Sequence, residues 1–183
     1  MQFPVLQTER LDLVEIDIQH LDDLFVLYSD PEVVRFYNLL PYTDINDGNK
    51  YIEWYQERFT NGLAIRWGIA LKGASGIIGT VGFNNYTKLH RANIGYDLRK
   101  EYWNRGYITE ALEIVLNFGF ETLEINRIEA EVMQGNLASE KVLRRVGFIK
   151  EGILREWMFW NNNYYDMSMF SLMKKDWNRD HLL

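Results

Sequence analysis

Between Asn93 and Gly119 the apolar residues change their repeat, and this change constrains the fold more than any other feature of the chain. In Asn93 to Leu98, Ile94, Tyr96 and Leu98 fall on one side of a pleated strand and Gly95 and Asp97 on the other, a period of two. From Ile108 the period is helical: Ile108, Ala111, Leu112, Val115 and Gly119 share one face, with Glu110, Glu113, Asn117 and Glu121 opposite. Arg99 to Tyr107 is therefore a strand-to-helix turn. Such a turn gathers the unpaired N–H groups of a first helical turn, and roughly half a positive charge, at one place. That arrangement suits an anion. Gly106 lets the backbone come close to it, and Thr109 adds a hydroxyl. Neither GxxxxGK[ST] nor GxGxxG occurs, which weighs against nucleoside triphosphates and dinucleotides. The competing reading of the same residues is an ordinary connection with a glycine in its turn.

With 183 residues, 47% hydrophobic and 15% aromatic, the chain has material for one sizeable core and reads as a single domain, 1–183. No apolar run approaches the roughly 18 residues of a membrane helix, and Met1 to Arg10 lacks the plan of a signal peptide. A soluble cytoplasmic enzyme with no membrane contact is expected. Cysteine is absent, which excludes disulfides, thiolate metal sites and an acyl-cysteine intermediate. His20, His90 and His181 show no ligand spacing, so no metal is expected. The 20 basic and 26 acidic side chains leave a net charge of −6, which argues against nucleic acid as a partner and suits a cationic acceptor such as an amine.

Along the rest of the chain, Leu11 to Glu15 alternates as a strand, and a helix from about Gln19 carries Leu21, Leu24, Phe25 and Tyr28 on one face. Asp30-Pro31-Glu32 caps another helix, with Val33, Val34, Phe36 and Tyr37 as its buried side. After a loop from Pro41 to Gly48, Asn49 to Phe59 is helical. Ala64 to Leu71 and Ile77 to Tyr86 read as strands; Gly79 and Gly82 mark a bulge or a close backbone approach that would open room for an acceptor. Asn84 to Lys88 reads as loop. Ile128, Ala130 and Val132 alternate with Glu129 and Glu131, Gln134-Gly135-Asn136 breaks that strand, and Leu137 to Val146 is a helix stopped by Gly147. Phe148 to Trp160 and Tyr164 to Met173 form a hairpin about Asn161-Asn162-Asn163. Its aromatic end, Trp157 to Tyr165, either pairs two copies as a homodimer or covers the core. The tail from Lys174 reads as a short helix or frayed end.

Trp103-Asn104-Arg105-Gly106-Tyr107-Ile108 resembles motif A of the GNAT N-acetyltransferases, in which backbone amides of the pattern [QR]-x-x-G-x-[GA] cradle the pyrophosphate of acetyl-CoA. Trp103 replaces the polar first residue, and Ile108 replaces the small last one with a β-branched side chain that narrows the space beside the phosphates. The form YWNRGYITEA is closer to the RimJ/RimL-like branch, which acetylates ribosomal-protein N-termini, and Thr8-Glu9-Arg10-Leu11-Asp12-Leu13 resembles that branch's entry strand. Asn136 to Phe148 resembles motif B, N-x-x-[AS]-x-x-x-[YL]-x-x-x-GF. Alone, that segment is a helix start with a structural serine. Paired with motif A, and followed by Glu151-Gly152-x-x-Arg155-Glu156, it becomes specific.

The resemblance implies a mixed α/β fold (GNAT): a mostly antiparallel twisted sheet of about seven strands, flanked by helices and splayed between its fourth and fifth strands. It implies acetyl-CoA as co-substrate. The pantetheine lies in the splay against main-chain groups of Tyr96, Asp97 and Leu98, the pyrophosphate lies on Asn104, Arg105, Gly106, Tyr107, Ile108 and Thr109, and Asn136 hydrogen-bonds the arm. Lys141, Arg144 or Arg145 would meet the 3′-phosphate. The reaction implied is direct attack of a neutral amine on the thioester. At pH 7 about a tenth of an α-amine is neutral, but well below a thousandth of a lysine amine, so a base is required. By resemblance Glu131 is the first choice, since relatives that acetylate ribosomal-protein N-termini place a glutamate at this position before Asn136, and Glu156 is the second; the rival role for Glu131 is a solvated carboxylate paired with Arg127 or a neighbour. Leu143 stands where many of these enzymes place a tyrosine; Ser139 stands where RimL-like enzymes place a serine, and that resemblance implies that it gives the hydrogen bond to the departing thiolate. Phe36, Tyr37, Trp54 and Tyr55 are candidate acceptor walls, with core packing as the competing reading. A protein N-terminus, a small-molecule amine and a polyamine all remain open as acceptor, and so does a non-catalytic acetyl-CoA-binding module.

Overall fold

The computed structural model describes residues 2–177. Alternating stretches become β1 (Leu6–Gln7), β2 (Leu11–Glu15), β3 (Ile65–Leu71), β4 (Ile77–Thr87), β5 (Arg91–Leu98), β6 (Arg127–Met133), β7 (Ile149–Trp160) and β8 (Asn163–Met173). They form one eight-stranded sheet of order β1-β2-β3-β4-β5-β6-β8-β7. The strand beyond the expected seven is β1, two residues long and too short to show a period. All neighbours are antiparallel except β5 and β6, which run parallel and pair only from Arg91↔Arg127 to Asn93↔Glu129. Past that point they part.

Helices α1 (Leu21–Ser29), α2 (Pro31–Val34) and α3 (Asn46–Thr60) pack through Leu24, Leu27, Tyr28, Val34 and Ile52 into one apolar cluster. Helices α4 (Tyr107–Asn117) and α5 (Leu137–Arg145) pack through Leu112, Val115 and Leu143 into a second, larger one with Trp67, Phe83, Phe120 and Phe170. The two-residue period of β2 serves both, since Leu11 and Leu13 enter the larger cluster while Val14 packs against the smaller. Asp30 caps α2 as expected, accepting from the Glu32 amide at 2.8 Å. That helix stops at Val34, however, so Phe36 and Tyr37 lie beyond it. α4 widens into a π turn over Phe118–Thr122. Gly119 sits inside it because a Cβ there would come within 2.7 Å of the Phe83 ring.

Three strand details differ from expectation. Gly79 and Gly82 open no space: a Cβ on Gly79 would strike the Asp97 carbonyl oxygen, and one on Gly82 the Ile65 carbonyl oxygen. They are the close-approach kind of strand glycine. The Asn84 to Thr87 segment is strand rather than loop, and the bulge lies there, since Phe83 faces Ile94 and Asn85 faces Asn93, leaving Asn84 without an opposite residue. The hairpin's Trp157, Phe159 and Tyr164 do not cover the core; all three are exposed. Lys174–Asp176 forms one short turn, and the tail after Trp177 lies outside the described residues.

Below the split, Arg127 of β6 holds Glu129 at 2.7 Å and Glu151 of β7 at 2.5 and 2.7 Å, and Glu151 also accepts from Ser171 of β8 at 2.7 Å. Hydrogen bonds from Arg127 and Ser171 pull the Glu151 carboxyl down to about 2. A carboxyl depressed below its unfolded value, roughly 4.3, adds stability that is present above that pH and is lost as pH falls toward the folded value. Glu151 is 42% exposed at its side chain, so solvent screening limits the amount to under about 1 kcal/mol. Glu151→Gln is expected to flatten acid melting curves between about pH 4.5 and 2 and to change little at pH 7, measured as Tm against pH.

Candidate active site

The strand-to-helix turn is built around two left-handed residues, Asn104 at φ +60° and Gly106 at φ +82°. Gly106 occupies the cap position of α4, and no side chain caps the amides that follow. Glu110, in the first turn, reaches back to the start of β2: it accepts from Thr8 Oγ1 at 2.5 Å, the Arg10 amide at 2.9 Å and Arg10 Nε at 2.6 Å. Arg10 Nη1 also donates to the Arg105 carbonyl at 3.1 Å. The TERL and TEA sequence elements are thus one clamp that fixes the turn. Burial pushes the Glu110 carboxyl up, but the hydrogen bonds from Thr8 and Arg10 outweigh it and hold the group below its ordinary value. Trp103, the residue that departs from the polar-first pattern, still donates: its indole N–H bonds the Leu98 carbonyl at 2.7 Å. Ile108 packs against the larger core cluster, as does Tyr107.

Where β5 and β6 part, Ile94 to Leu98 and Ala130 to Met133 each present a strand edge with no strand opposite among the described residues. The gap opens into a cavity of about 360 Å³. Glu131, Asn136, Ser139 and Tyr96 all line it, together with Phe36, Tyr37, Trp54 and Tyr55, so the four aromatic residues weighed between wall and core stand at the wall. Residues 104 to 109 lie outside this lining, beyond the C-terminal end of β5.

Among the described residues Glu131 pairs with no arginine; Arg127 is taken by Glu129 and Glu151. Its two oxygens instead accept from Asn93 Nδ2 at 3.4 Å and Trp157 Nε1 at 2.9 Å. Glu156, the second choice of base, is not in the lining. It sits at φ +51° in a bulge of β7, where its amide donates to Asp166 Oδ1 at 2.8 Å, and that bulge carries Trp157 to Glu131. Asn136 caps α5 by accepting from the Ser139 amide at 3.1 Å. The Ser139 hydroxyl lies 2.8 Å from the Tyr96 phenol, which also donates to the Ser139 carbonyl at 3.3 Å. Burial pushes the Tyr96 phenol up, so it acts as a hydrogen-bond donor rather than an acid. On α5, Lys141, Arg144 and Arg145 are exposed, and Arg144 faces Glu140 at 3.6 Å.

Sequence reasoning missed a buried polar cluster that hydrogen-bonds to two residues of the cavity wall, Tyr37 and Asn84. Asp97 and Arg66 form an ion pair at 2.7 Å with side chains 2% and 1% exposed. Asp97 also accepts from Tyr28 and Tyr37, each at 3.0 Å, and from the Thr80 amide at 3.1 Å. Desolvation pushes both phenols well up. Arg66 donates onward to Asn84 at 3.1 Å, and Asn84 to Asn93 at 2.8 Å, so a line of hydrogen bonds runs from the buried pair to Glu131. The signal was a lone arginine in the apolar strand IRWGIAL and a lone aspartate two strands away, set diagonally at a two-residue offset in register.

Residues 10–149 match the family described as acetyltransferase (GNAT) domain. The N-acetyltransferase p20 of Bacillus licheniformis, uncharacterised, is 38% identical over 173 residues, 94% of this chain and 97% of its own. The [ribosomal protein uS5]-alanine N-acetyltransferase of Escherichia coli is 30% identical over 103 residues, 55% of this chain and 53% of its own. A solved structure of RimL, the ribosomal L7/L12 α-N-protein acetyltransferase in complex with coenzyme A, superposes with a TM-score of 0.81 at 20% identity, covering 93% of this chain and 98% of its own. The chain belongs to the GNAT family of acetyltransferases, with RimJ/RimL-like enzymes among its relatives. It is an N-acetyltransferase, an enzyme of the acyltransferase class.

Proposed function

We propose that this protein transfers the acetyl group of acetyl-CoA directly to a primary amine, and that Glu131 and Ser139 carry the chemistry. One observation carries the reading: Glu131, on β6, and Ser139, at the start of α5, line a single cavity that opens where β5 and β6 separate. The residues fit the acetyl donor. The free edges of β5 and β6 offer main-chain partners for the amides of a pantetheine arm, with Tyr96 and Asp97 contributing theirs; the Leu98 carbonyl is already held by Trp103. The uncapped amides that follow Gly106, from Tyr107 to Thr109, with Asn104 and Arg105 before them, would hold the pyrophosphate. Asn136, whose Oδ1 is committed to capping α5, has its amide nitrogen to offer the arm.

When bound, acetyl-CoA supplies the activated acyl carbon; the protein supplies proton handling and position. Glu131, with no cation paired to it among the described residues, takes a proton from the incoming ammonium, directly or through water. With the Tyr96 phenol donating to Ser139 Oγ across their 2.8 Å contact, the Ser139 hydroxyl proton is left for the departing sulfur. The phenol thereby supports the serine at the site where motif B lacks its tyrosine. The ribosomal enzymes among the relatives support a protein N-terminus as acceptor.

The cofactor turn is tested by Gly106→Val. A β-branched residue forced to φ +82° costs about 1–3 kcal/mol, and its side chain occupies the approach to the phosphates. Acetyl-CoA affinity by calorimetry is expected to fall about tenfold to a hundredfold with folding retained. Unchanged affinity would place the pyrophosphate elsewhere.

A further inference from the structure

The acceptor half of the cavity is unusual in its charge. Among the described residues that line the cavity, Glu131 is the only acidic or basic one, and both of its oxygens already hold a neutral donor, Asn93 and Trp157. Behind the aromatic walls stand three guanidinium groups. Arg35 lies over Phe36 at 5.3 Å, Arg58 over Trp54 at 4.6 Å and Arg66 over Tyr55 at 5.7 Å. Of these, only Arg66 has an acidic partner among the described residues. Arg58 donates instead to the Asn84 carbonyl at 3.0 Å, which pins its charge to the cavity wall.

These charges act on an incoming amine in opposite ways at its two ends. The reacting ammonium meets a carboxylate. Any second ammonium finds rings whose π faces already hold cations, and guanidinium charge behind them. Among the described residues no second carboxylate lines the cavity to replace the water it gives up, and removing water from an unpaired cation is costly. An acceptor with an apolar or aromatic body loses no such hydration and gains contact with Trp54, Tyr55 and Met158.

We propose that the acceptor is a singly charged amine on an otherwise neutral, apolar or aromatic body, and that the site rejects diamines, polyamines and aminoglycosides. The inference rests on the reading of Glu131 as the group that meets the amine. The required chemistry is met both by a free monoamine and by the N-terminus of a peptide whose first side chains are uncharged.

The test compares kcat/KM for hexylamine and 1,6-diaminohexane, which share chain length and differ in one added amine, with acetyl-CoA as donor at one pH and ionic strength. Phenethylamine and an uncharged tripeptide amide are run beside them to separate the two sources. Hexylamine is expected to exceed the diamine by about a hundredfold, mainly in KM, and Arg58→Gln to narrow that ratio. Equal use of the two amines, within about threefold, overturns the inference while leaving acetyl transfer intact. Acetyl-CoA uptake with no acetylation of any of the four amines overturns the transfer reading and this inference together. Absence of uptake instead removes the cofactor site.

Discussion

Arg66→Met is expected to destabilise the protein by about 3–5 kcal/mol, because it leaves the Asp97 carboxylate buried without its cation. For a chain of this size each kcal/mol moves Tm by roughly 2–4 °C, so a fall of about 6–20 °C should be seen by differential scanning calorimetry. The loss is not only of charge. Arg66 also donates to Thr80 at 2.7 Å, Tyr37 at 3.1 Å and Asn84 at 3.1 Å, and methionine leaves each of those groups short of a donor. Asp97→Asn should cost less, since the amide keeps the shape and still accepts from Tyr28 and Tyr37. Combining the two substitutions should cost less than their sum, the mark of a coupled pair. Additive losses would mean that the ion pair itself contributes little and that packing around Trp67 and Tyr55 dominates. Activity should fall further than stability alone explains, because Tyr37 and Asn84 are set in the cavity wall by the same guanidinium.

The fold was legible wherever one local pattern decided the element. The switch from period two to helical period across Gly106 gave β5, the turn and α4, and Asp30-Pro31 gave the start of α2. Sequence failed where a tertiary partner decided. Asn84-Asn85 reads as a loop because asparagine favours turns, yet pairing with β5 on one side, and the Leu63 carbonyl accepting from the Tyr86 amide on the other, convert the segment into a strand with a bulge. Gly79 and Gly82 look like openings because they lack side chains, and the neighbouring backbones fill that space. The π turn after Asn117 follows from Phe83 approaching Gly119, a contact between residues far apart in the chain.

The same division runs through the site. Asn136 and Ser139 were singled out because motif B carries them, and Glu131 because relatives place a glutamate ahead of that motif; the structure brings all three to one cavity. Asn93, Asn84, Arg66 and Trp157 belong to no such motif. Each matters through register: the bulge at Asn84 turns its side chain toward Asn93, and the irregularity between Leu154 and Met158 delivers Trp157 to Glu131. Thr8 and Arg10 were recognisable as an entry strand, but their purpose as a clamp on Glu110 appears only when residues a hundred positions apart are brought together.

Glu131→Gln is expected to lower kcat by about 10²–10⁴, the usual contribution of a positioned general base, with acetyl-CoA affinity and Tm nearly unchanged. Glutamine has the same shape and keeps an oxygen to accept from the Trp157 indole, so the cavity wall stays in place. What it loses is the ability to take a proton. A deficit of this origin should shrink as pH rises, because deprotonation of the free amine in solution then substitutes for the missing base. Trp157→Phe supplies the contrast: it removes one donor from the carboxylate but leaves the carboxylate itself, so kcat should change by less than about tenfold. A Glu131→Gln enzyme that keeps more than about a tenth of wild-type kcat at neutral pH would show that water alone accepts the proton. Glu131 would then be left the lesser task of holding Trp157 and Asn93 at the edge of the split.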